Sequence, residues 1–387
     1  MSIRKNTWNL NNKYDLTKSG WDTYTDTRAP LEVYSFGYNT VGELGLNDRT
    51  DRSSPTQIPG TEWINVSGSY NTMYGIKSDG TMWTWGADVS GQQGLNTQGA
   101  ASAKSSPTQI PGTEWHTFKG GQTCCLATKT DGTLWAWGNG DKGQTALNSE
   151  VPRSSPTQIP GTEWNLTQFS TNRTQSVALK TDGTMWTWGR NDPYGTLGVN
   201  DKVSRSSPVQ VPGTDWNSVS TNYFRMYGTK SDGTIWSWGV GTYGNLAHNN
   251  ITQYSSPRQI PGTQWTSVPV SQSYTNWAFK TGGELYNMGG YGSNGTLARN
   301  DRVAYSSPAQ IPGTQWASLS ASYYVQTAIK TDGTAWVWGQ NWHGSLGLNQ
   351  TSNYKKSSPT QVPGTNWKKS GVGGYTKSVT FLLSEPE

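Results

Sequence analysis

The sequence predicts an all-β chain folded as a seven-bladed β-propeller with four-stranded blades. Three observations carry the prediction. The phrase running from Lys180 to Gly189, Lys-Thr-Asp-Gly-Thr-Met-Trp-Thr-Trp-Gly, recurs in close copies ending at Gly86, Gly138, Gly239, Gly289 and Gly339, and a reduced copy at Tyr34 to Gly37 opens the series. A second phrase, Ser-Ser-Pro-Thr-Gln-Ile-Pro-Gly-Thr-Glu-Trp, spans Ser53 to Trp63 and returns with variants ending at Trp115, Trp164, Trp216, Trp265, Trp316 and Trp367. Those tryptophans stand 49 to 52 residues apart, too long for most helical solenoids and suited to four short strands with turns.

Residues 1–30 lack the repeat and form a polar segment with Trp8, Tyr14, Trp21 and Tyr24 spaced through it. Such a segment buries too little surface to fold alone, so it is expected to be an anchor arm ordered against a partner. The propeller then occupies residues 31–387. Within each repeat, Met82 to Trp85 is β-prone and follows the hairpin turn Asp79-Gly80, with Met73 to Lys77 as its partner strand. Gly282-Gly283 replaces Asp-Gly in one copy, both positions being tolerant of positive φ. A further strand is expected from Trp63 to Val66, and a fourth over Thr56 to Ile58. Pro55 and Pro59 bracket the fourth and assign it to an outer edge, where a missing amide donor is tolerated. Connections such as Gly42-Glu-Leu-Gly-Leu-Asn47 read as compact turns packed by a leucine.

Six whole blades are expected at residues 61–112, 113–161, 162–213, 214–262, 263–313 and 314–364. Residues 365–384 supply the first two strands of a seventh blade and residues 31–60 the rest. The last blade is thus closed by strands from both termini, which removes open sheet edges.

Composition agrees with an aromatic core. Only 32% of the 387 residues are hydrophobic, yet 21 Trp and 19 Tyr supply large apolar areas. The net charge of +5 permits attraction to acidic polymers without demanding it. Adjacent Cys124 and Cys125 point to opposite faces of a strand and are unsuited to a mutual disulfide. No stretch is apolar enough for a signal-peptide core or a membrane span, so neither export by that route nor membrane insertion is expected.

The Gly-x-x-Gly connections ending in Asn, the Asp-Gly-Thr turn before Trp-x-Trp-Gly, the Pro-x-x-Ile/Val-Pro segment and the count of seven resemble the regulator of chromosome condensation repeat proteins, over roughly residues 31–384. That family implies a seven-bladed propeller but no single activity, since it includes a nucleotide exchange factor, a β-lactamase inhibitor, ubiquitin-ligase modules and phage proteins. The family's frequent second-strand His is absent, with Met73-Tyr74, Cys124-Cys125, Met226-Tyr227 and Trp277-Ala278 in its place. No inserted β-wedge interrupts the repeats, so exchange activity is not carried over.

The repeated tryptophans could be ligand platforms, but core packing is the stronger reading. Trp83 and Trp85 lie two apart on one strand and face the same neighbouring blade, and each buried ring contributes roughly 4 to 6 kcal/mol. Unrepeated Trp277 and Trp342 are the surface candidates. The Asp-Gly-Thr phrase resembles the sialidase Asp box, itself a structural turn, and no unique carboxylate pair breaks the repeat as a glycosidase requires. His116, His248 and His343 fall at non-equivalent positions and do not converge on a metal; no cofactor is expected.

One repeated position is less bland. The residue before Ser-Ser-Pro is Arg52, Lys104, Arg153, Arg205, Tyr254, Tyr305 or Lys356, basic in five copies of seven. A radial arrangement would make these a ring able to meet phosphate, glycan or an acidic protein surface, the alternative being solvated charges guarding an edge strand. The leading expectation is a non-enzymatic structural protein, a virion component docked on other structural proteins through residues 1–30 and otherwise cytoplasmic. Its alternative is a cellular regulator that binds an acidic protein or, less favoured, nucleic acid through the basic ring. A glycan hydrolase is third.

Overall fold

The computed structural model describes residues 33–384, apart from 38, 51, 70, 223, 267–269, 273–274, 291, 293, 322–324, 342–345, 347, 349–353, 366 and 374–378. The arm with Trp8, Tyr14, Trp21 and Tyr24 lies outside the described residues, as do Trp342 and His343.

Six antiparallel four-stranded sheets follow one another along the chain. Blade one consists of Trp63–Ser69, Thr72–Lys77, Met82–Gly86 and Lys104–Gln109. Blade two repeats it with Trp115–Gly120, Cys124–Lys129, Leu134–Gly138 and Arg153–Gln158. Blades three and four begin at Trp164 and Trp216 and end at Gln210 and Gln259. Blade five is the most irregular, its first and last strands shortened to Val270–Gln272 and Ala309–Gln310. Blade six runs from Trp316 to Gln361. First strands of successive blades pack against one another, so they form the inner wall and the fourth strands the outer edge.

The strands expected to share the seventh blade form two separate two-stranded sheets. Tyr34–Gly37 pairs with Arg52–Gln57, and Trp367–Gly373 pairs with Val379–Ser384. Among the described residues no ladder joins the two sheets. Trp367 packs with Val325, Ile329 and Val362 of blade six, and Val33 and Ile58 pack with Trp63 and Trp85 of blade one.

The outer strands differ from expectation in extent. Five start at the residue before Ser-Ser-Pro with Pro inside, as at Arg52–Gln57, with Ile58 beyond its end; that of blade six starts one residue earlier at Lys355, and only the short Ala309–Gln310 of blade five begins after its proline. A register shift between Lys104 and Thr108 bulges the strand around the proline, which spares the ladder an amide it lacks.

Repeated residues are accounted for by bonds between blades. The second Trp of each phrase is fully buried and donates Nε1 to a carbonyl in the preceding blade's connection: Trp85 to Glu43 at 2.9 Å, Trp137 to Gln92 at 2.8 Å, Trp188 to Gln144 at 2.8 Å, Trp238 to Thr196 at 2.9 Å and Trp338 to Thr296 at 3.1 Å. Blade five carries Met288 instead, and the Nδ2 of Asn276 takes over the carbonyl of Asn245 at 2.9 Å. Gly45 lets the connection approach so closely that a β-carbon there would lie 2.9 Å from the Trp85 nitrogen. Among the described residues, the Asn that ends a connection adopts left-handed φ, as at Asn47 and Asn200, and its amide bonds to the first Ser of the next blade's Ser-Ser-Pro, 2.6 Å from Asn47 to Ser105 and 2.7 Å from Asn200 to Ser255. Asn tolerates that backbone better than other side-chain-bearing residues do.

The first Trp of the phrase does something different from the second. It is only half-buried and donates to the Thr of Asp-Gly-Thr, Trp186 Nε1 to Thr184 Oγ1 at 2.9 Å, while Asp182 Oδ1 accepts from that hydroxyl at 2.6 Å and from the Thr184 amide at 2.9 Å. The turn needs positive φ at its glycine alone: Gly183 has +78° and Gly283 +75°, whereas Gly282 is not in that region. Hydrogen bonds from Thr81, Thr133, Thr184, Thr234 and Thr334 hold the carboxyls of Asp79, Asp131, Asp182, Asp232 and Asp332 below the usual carboxylate range. A depressed folded pKa stabilises above the unfolded value of about 3.9 and is lost as pH falls through the folded value. The thermal midpoint should therefore drop below about pH 4. The Asp182→Asn variant should drop less steeply, and an identical slope across that range would refute the linkage.

Trp277 is the clearest correction. Expected at the surface, it is fully buried and meets Trp338 edge-on at 5.3 Å. It lies three residues before Lys280, as Tyr74 does before Lys77 and Tyr227 before Lys230. The equivalent residues of the other blades are Leu126, Val177 and Thr327, so the position repeats in burial but in neither size nor identity. Cys124 and Cys125 are free and buried, and burial pushes the Cys124 thiol up to about 11.

Candidate interaction surface

Antiparallel pairing sends the first-to-second and third-to-fourth connections to one face of the ring, and the Asp-Gly turns with the Pro-Gly linkers to the other. The two faces differ in chemistry.

The Asp-Gly face is locked. Its main device is a lysine clasped between two aromatic rings, at the last position of the second strand. Lys77 Nζ sits 5.0 Å from the Trp63 ring and 4.6 Å from Trp83, and Lys180 Nζ sits 5.4 Å from Trp164 and 5.3 Å from Trp186. Lys129, Lys230 and Lys330 are held alike, and Lys280 lies between Trp265 and Tyr286. Sequence reading passed over these lysines although each stands at a constant offset before Gly of the turn. The first-strand Trp is set opposite the Lys in the ladder, as Trp63 is opposite Lys77, a pairing that linear spacing does not display.

The opposite face carries the longer connections and the ring position. Arg52, Lys104, Arg153, Arg205, Tyr254 and Lys356 pair in register with the glycines that end the third strands, Gly37, Gly86, Gly138, Gly189, Gly239 and Gly339. Tyr305 bridges to Gly290. Equivalent placement does not make them equivalent charges. Arg205 is spent locally, its Nη2 2.5 Å from Asp201 Oδ2 and its Nη1 donating to the Val203 carbonyl at 2.7 Å. The Tyr305 hydroxyl donates to the Asp301 carboxylate beneath the Arg299 guanidinium, 3.6 Å from the ring centre, and this bond raises the phenol's pKa. Tyr254 accepts from Asn250 Nδ2 at 2.9 Å. In each case the partner is the residue four earlier. Lys104, Arg153 and Lys356 make no ion pair among the described residues, although Lys104 acts at longer range on the Asp88 carboxyl and Lys356 Nζ lies 5.6 Å from the Tyr354 ring centre.

The same earlier residue shapes the tip of the connection. Asp201 Oδ1 accepts from the Val203 amide at 2.9 Å, Asp301 Oδ1 from Val303 at 3.1 Å, Asn250 Oδ1 from Thr252 at 2.9 Å and Ser149 Oγ from Val151 at 3.1 Å. Each is a local turn closed by a side chain. His248 packs edge-on against Tyr254 at 5.2 Å, and burial lowers its pKa. No group of three or more metal-ligating side chains occurs among the described residues, and no helix among them is long and apolar enough to cross a membrane.

A model of the RCC1-like domain matches residues 32–379. The ultraviolet-B receptor UVR8 of Arabidopsis thaliana is 28% identical over 198 residues, covering 49% of this chain and 44% of the receptor. The E3 ubiquitin-protein ligase HERC2 of Homo sapiens is 27% identical over 192 residues, covering 46% of this chain and 4% of the ligase. The chain thus spans less than half the length of either relative. Among solved structures, Prp20p from Saccharomyces cerevisiae superposes with a TM-score of 0.69 at 16% identity, covering 89% of this chain and 88% of that one. Human WBSCR16 gives 0.68 at 18% identity, over 89% and 96%. At these identities the structural likeness concerns the fold alone. The expected virion component gains no support from these relatives, and the regulator alternative fits them at least as well. By its repeats, its blades and the matched span, the chain belongs to the RCC1-like domain family.

Proposed function

We propose that the chain is a non-enzymatic binding propeller whose partner is a protein with an acidic surface, docked on the face that carries the third-to-fourth connections. The observation behind this reading is the division between the faces. The Asp-Gly face repeats one locked network in nearly every blade, whereas the other face gathers the connections that differ in length and composition, with Lys104, Arg153 and Lys356 left without ion-pair partners among the described residues. Structural relatives lend the partner class: Prp20p is characterised by its binding to Gsp1p and histones, and yeast RCC1 has been solved with Kap60 bound.

The test is capture from cells that express the chain. Lys104→Glu, Arg153→Glu and Lys356→Glu together should remove proteins that copurify with the wild type and flatten the salt dependence of their release. Arg205→Glu alone should matter less, because Asp201 already neutralises that guanidinium. Copurification of the same proteins at wild-type level, with unchanged salt dependence, would remove the reading.

A further inference from the structure

The large hydrophobic side chains that stand exposed among the described residues are Val89, Val151, Val203, Tyr243, Ile251 and Val303, between 47% and 69% accessible. Every one lies in a third-to-fourth connection. Single exposed aliphatics need no explanation, but these share a place in the repeat. Val151, Val203 and Val303 stand two residues before the ring position of blades two, three and five, and Ile251 stands three before it in blade four. The side-chain-closed turns described above set these tips, so the three valines occupy equivalent places in blades two, three and five, while in blade four Thr252 holds that place and Ile251 stands one residue before it.

The charge beside them is mixed, with basic residues in excess. Lys202, Arg258 and Arg302 are exposed and Arg153 half-exposed, while Asp201 and Asp301 are turned back onto Arg205 and Tyr305. The exposed carboxylates in the connections of blades two and three are Asp141, Glu150 and Asp192, the last paired with Arg190 at 3.5 Å and accepting from Ser204 Oγ at 2.8 Å. We infer that this arc over blades two to five seats an acidic segment of a partner protein that also carries aliphatic side chains, its carboxylates meeting Lys202, Arg302 and Arg153 and its aliphatics meeting the valines. The inference rests on the reading that this face binds protein, and it adds the chemistry of the segment and the blades that hold it.

The probe is a displayed library of random peptides selected on the full chain. Recovered peptides should be rich in Asp or Glu interleaved with Leu, Ile or Val. The pairs Val203→Ser with Val303→Ser, and Lys202→Glu with Arg302→Glu, should each weaken the best peptide about tenfold or more, with melting temperatures unchanged because these side chains are exposed. The inference is overturned if no peptide is enriched, if enriched peptides are neutral or basic, or if either pair binds them like wild type. It is equally overturned if a duplex DNA probe displaces the peptides while depending on the same residues, or if the valines instead govern self-association with a second copy. Should charge reversal at Lys104, Arg153 and Lys356 abolish cellular capture while both pairs leave it intact, the proposed function stands and the arc falls.

Discussion

Replacing Trp238 by Ala should destabilise the protein by about 3 to 5 kcal/mol, the usual cost of emptying a large buried aromatic site. Trp238 is fully buried at the junction of blades three and four, in a cluster with Val177, Leu197 and Trp216. Its Nε1 also donates to the Thr196 carbonyl, so truncation strands a buried acceptor as well as opening a cavity. Trp238→Phe separates the two effects: it keeps most of the ring and loses the donor, for an expected cost of about 1 to 3 kcal/mol. Trp236, two residues away on the same strand, is half-buried and bonds only to Thr234 within its own turn. Trp236→Ala should therefore cost clearly less. Denaturant titration of the three variants decides the matter, and equal losses for Trp236→Ala and Trp238→Ala would refute the division of labour between the two tryptophans.

Lys180→Met should cost about 1 to 2 kcal/mol, from two ring faces at roughly 0.5 to 1 kcal/mol each for a half-buried cation. The methionine keeps the length and apolar contact of the stem, so the loss reports the charge. Lys180→Arg should retain most of the stability, since a guanidinium also stacks on aromatic faces. A double-mutant cycle between Lys180 and Trp186 checks the contact directly, through the coupling left after both single effects are subtracted. No coupling would mean that the ammonium lies over the rings without stabilising them. Because the clasp recurs in six blades, the result bears on the whole Asp-Gly face.

The same comparisons explain what could be read in the chain before folding. The Trp-terminated phrases and the Asp-Gly turns announce the six whole blades and the hairpin in each, because both depend on local backbone rules and on a period that any packed neighbour must respect. The antiparallel order of strands follows from those turns, and so does the placing of the ring residues at one register. The start of the outer strand was less legible: Pro55 argues locally against a strand, and only the bulge that shelters it lets the strand run from Arg52.

Long-range pairing decided the rest. Trp83 and Trp85 are indistinguishable by spacing, yet one closes its own turn and the other bonds to a carbonyl more than 40 residues earlier, at Glu43. Trp277 stands out in sequence as unrepeated, but its slot is defined by the neighbouring Trp338 and by the missing tryptophan at Met288. The ring of basic residues is visible in the sequence as a column of charges. Its depletion is not, because Asp201 removes Arg205 from that column through a turn whose geometry exists only once the blade has formed. Sequence alone thus determined the six whole blades, since turns and period are local. Tertiary structure decided which aromatics hold blades together, which lysines are clasped between rings and which charges and aliphatics remain for a partner, since each depends on what a neighbouring blade or connection brings within reach.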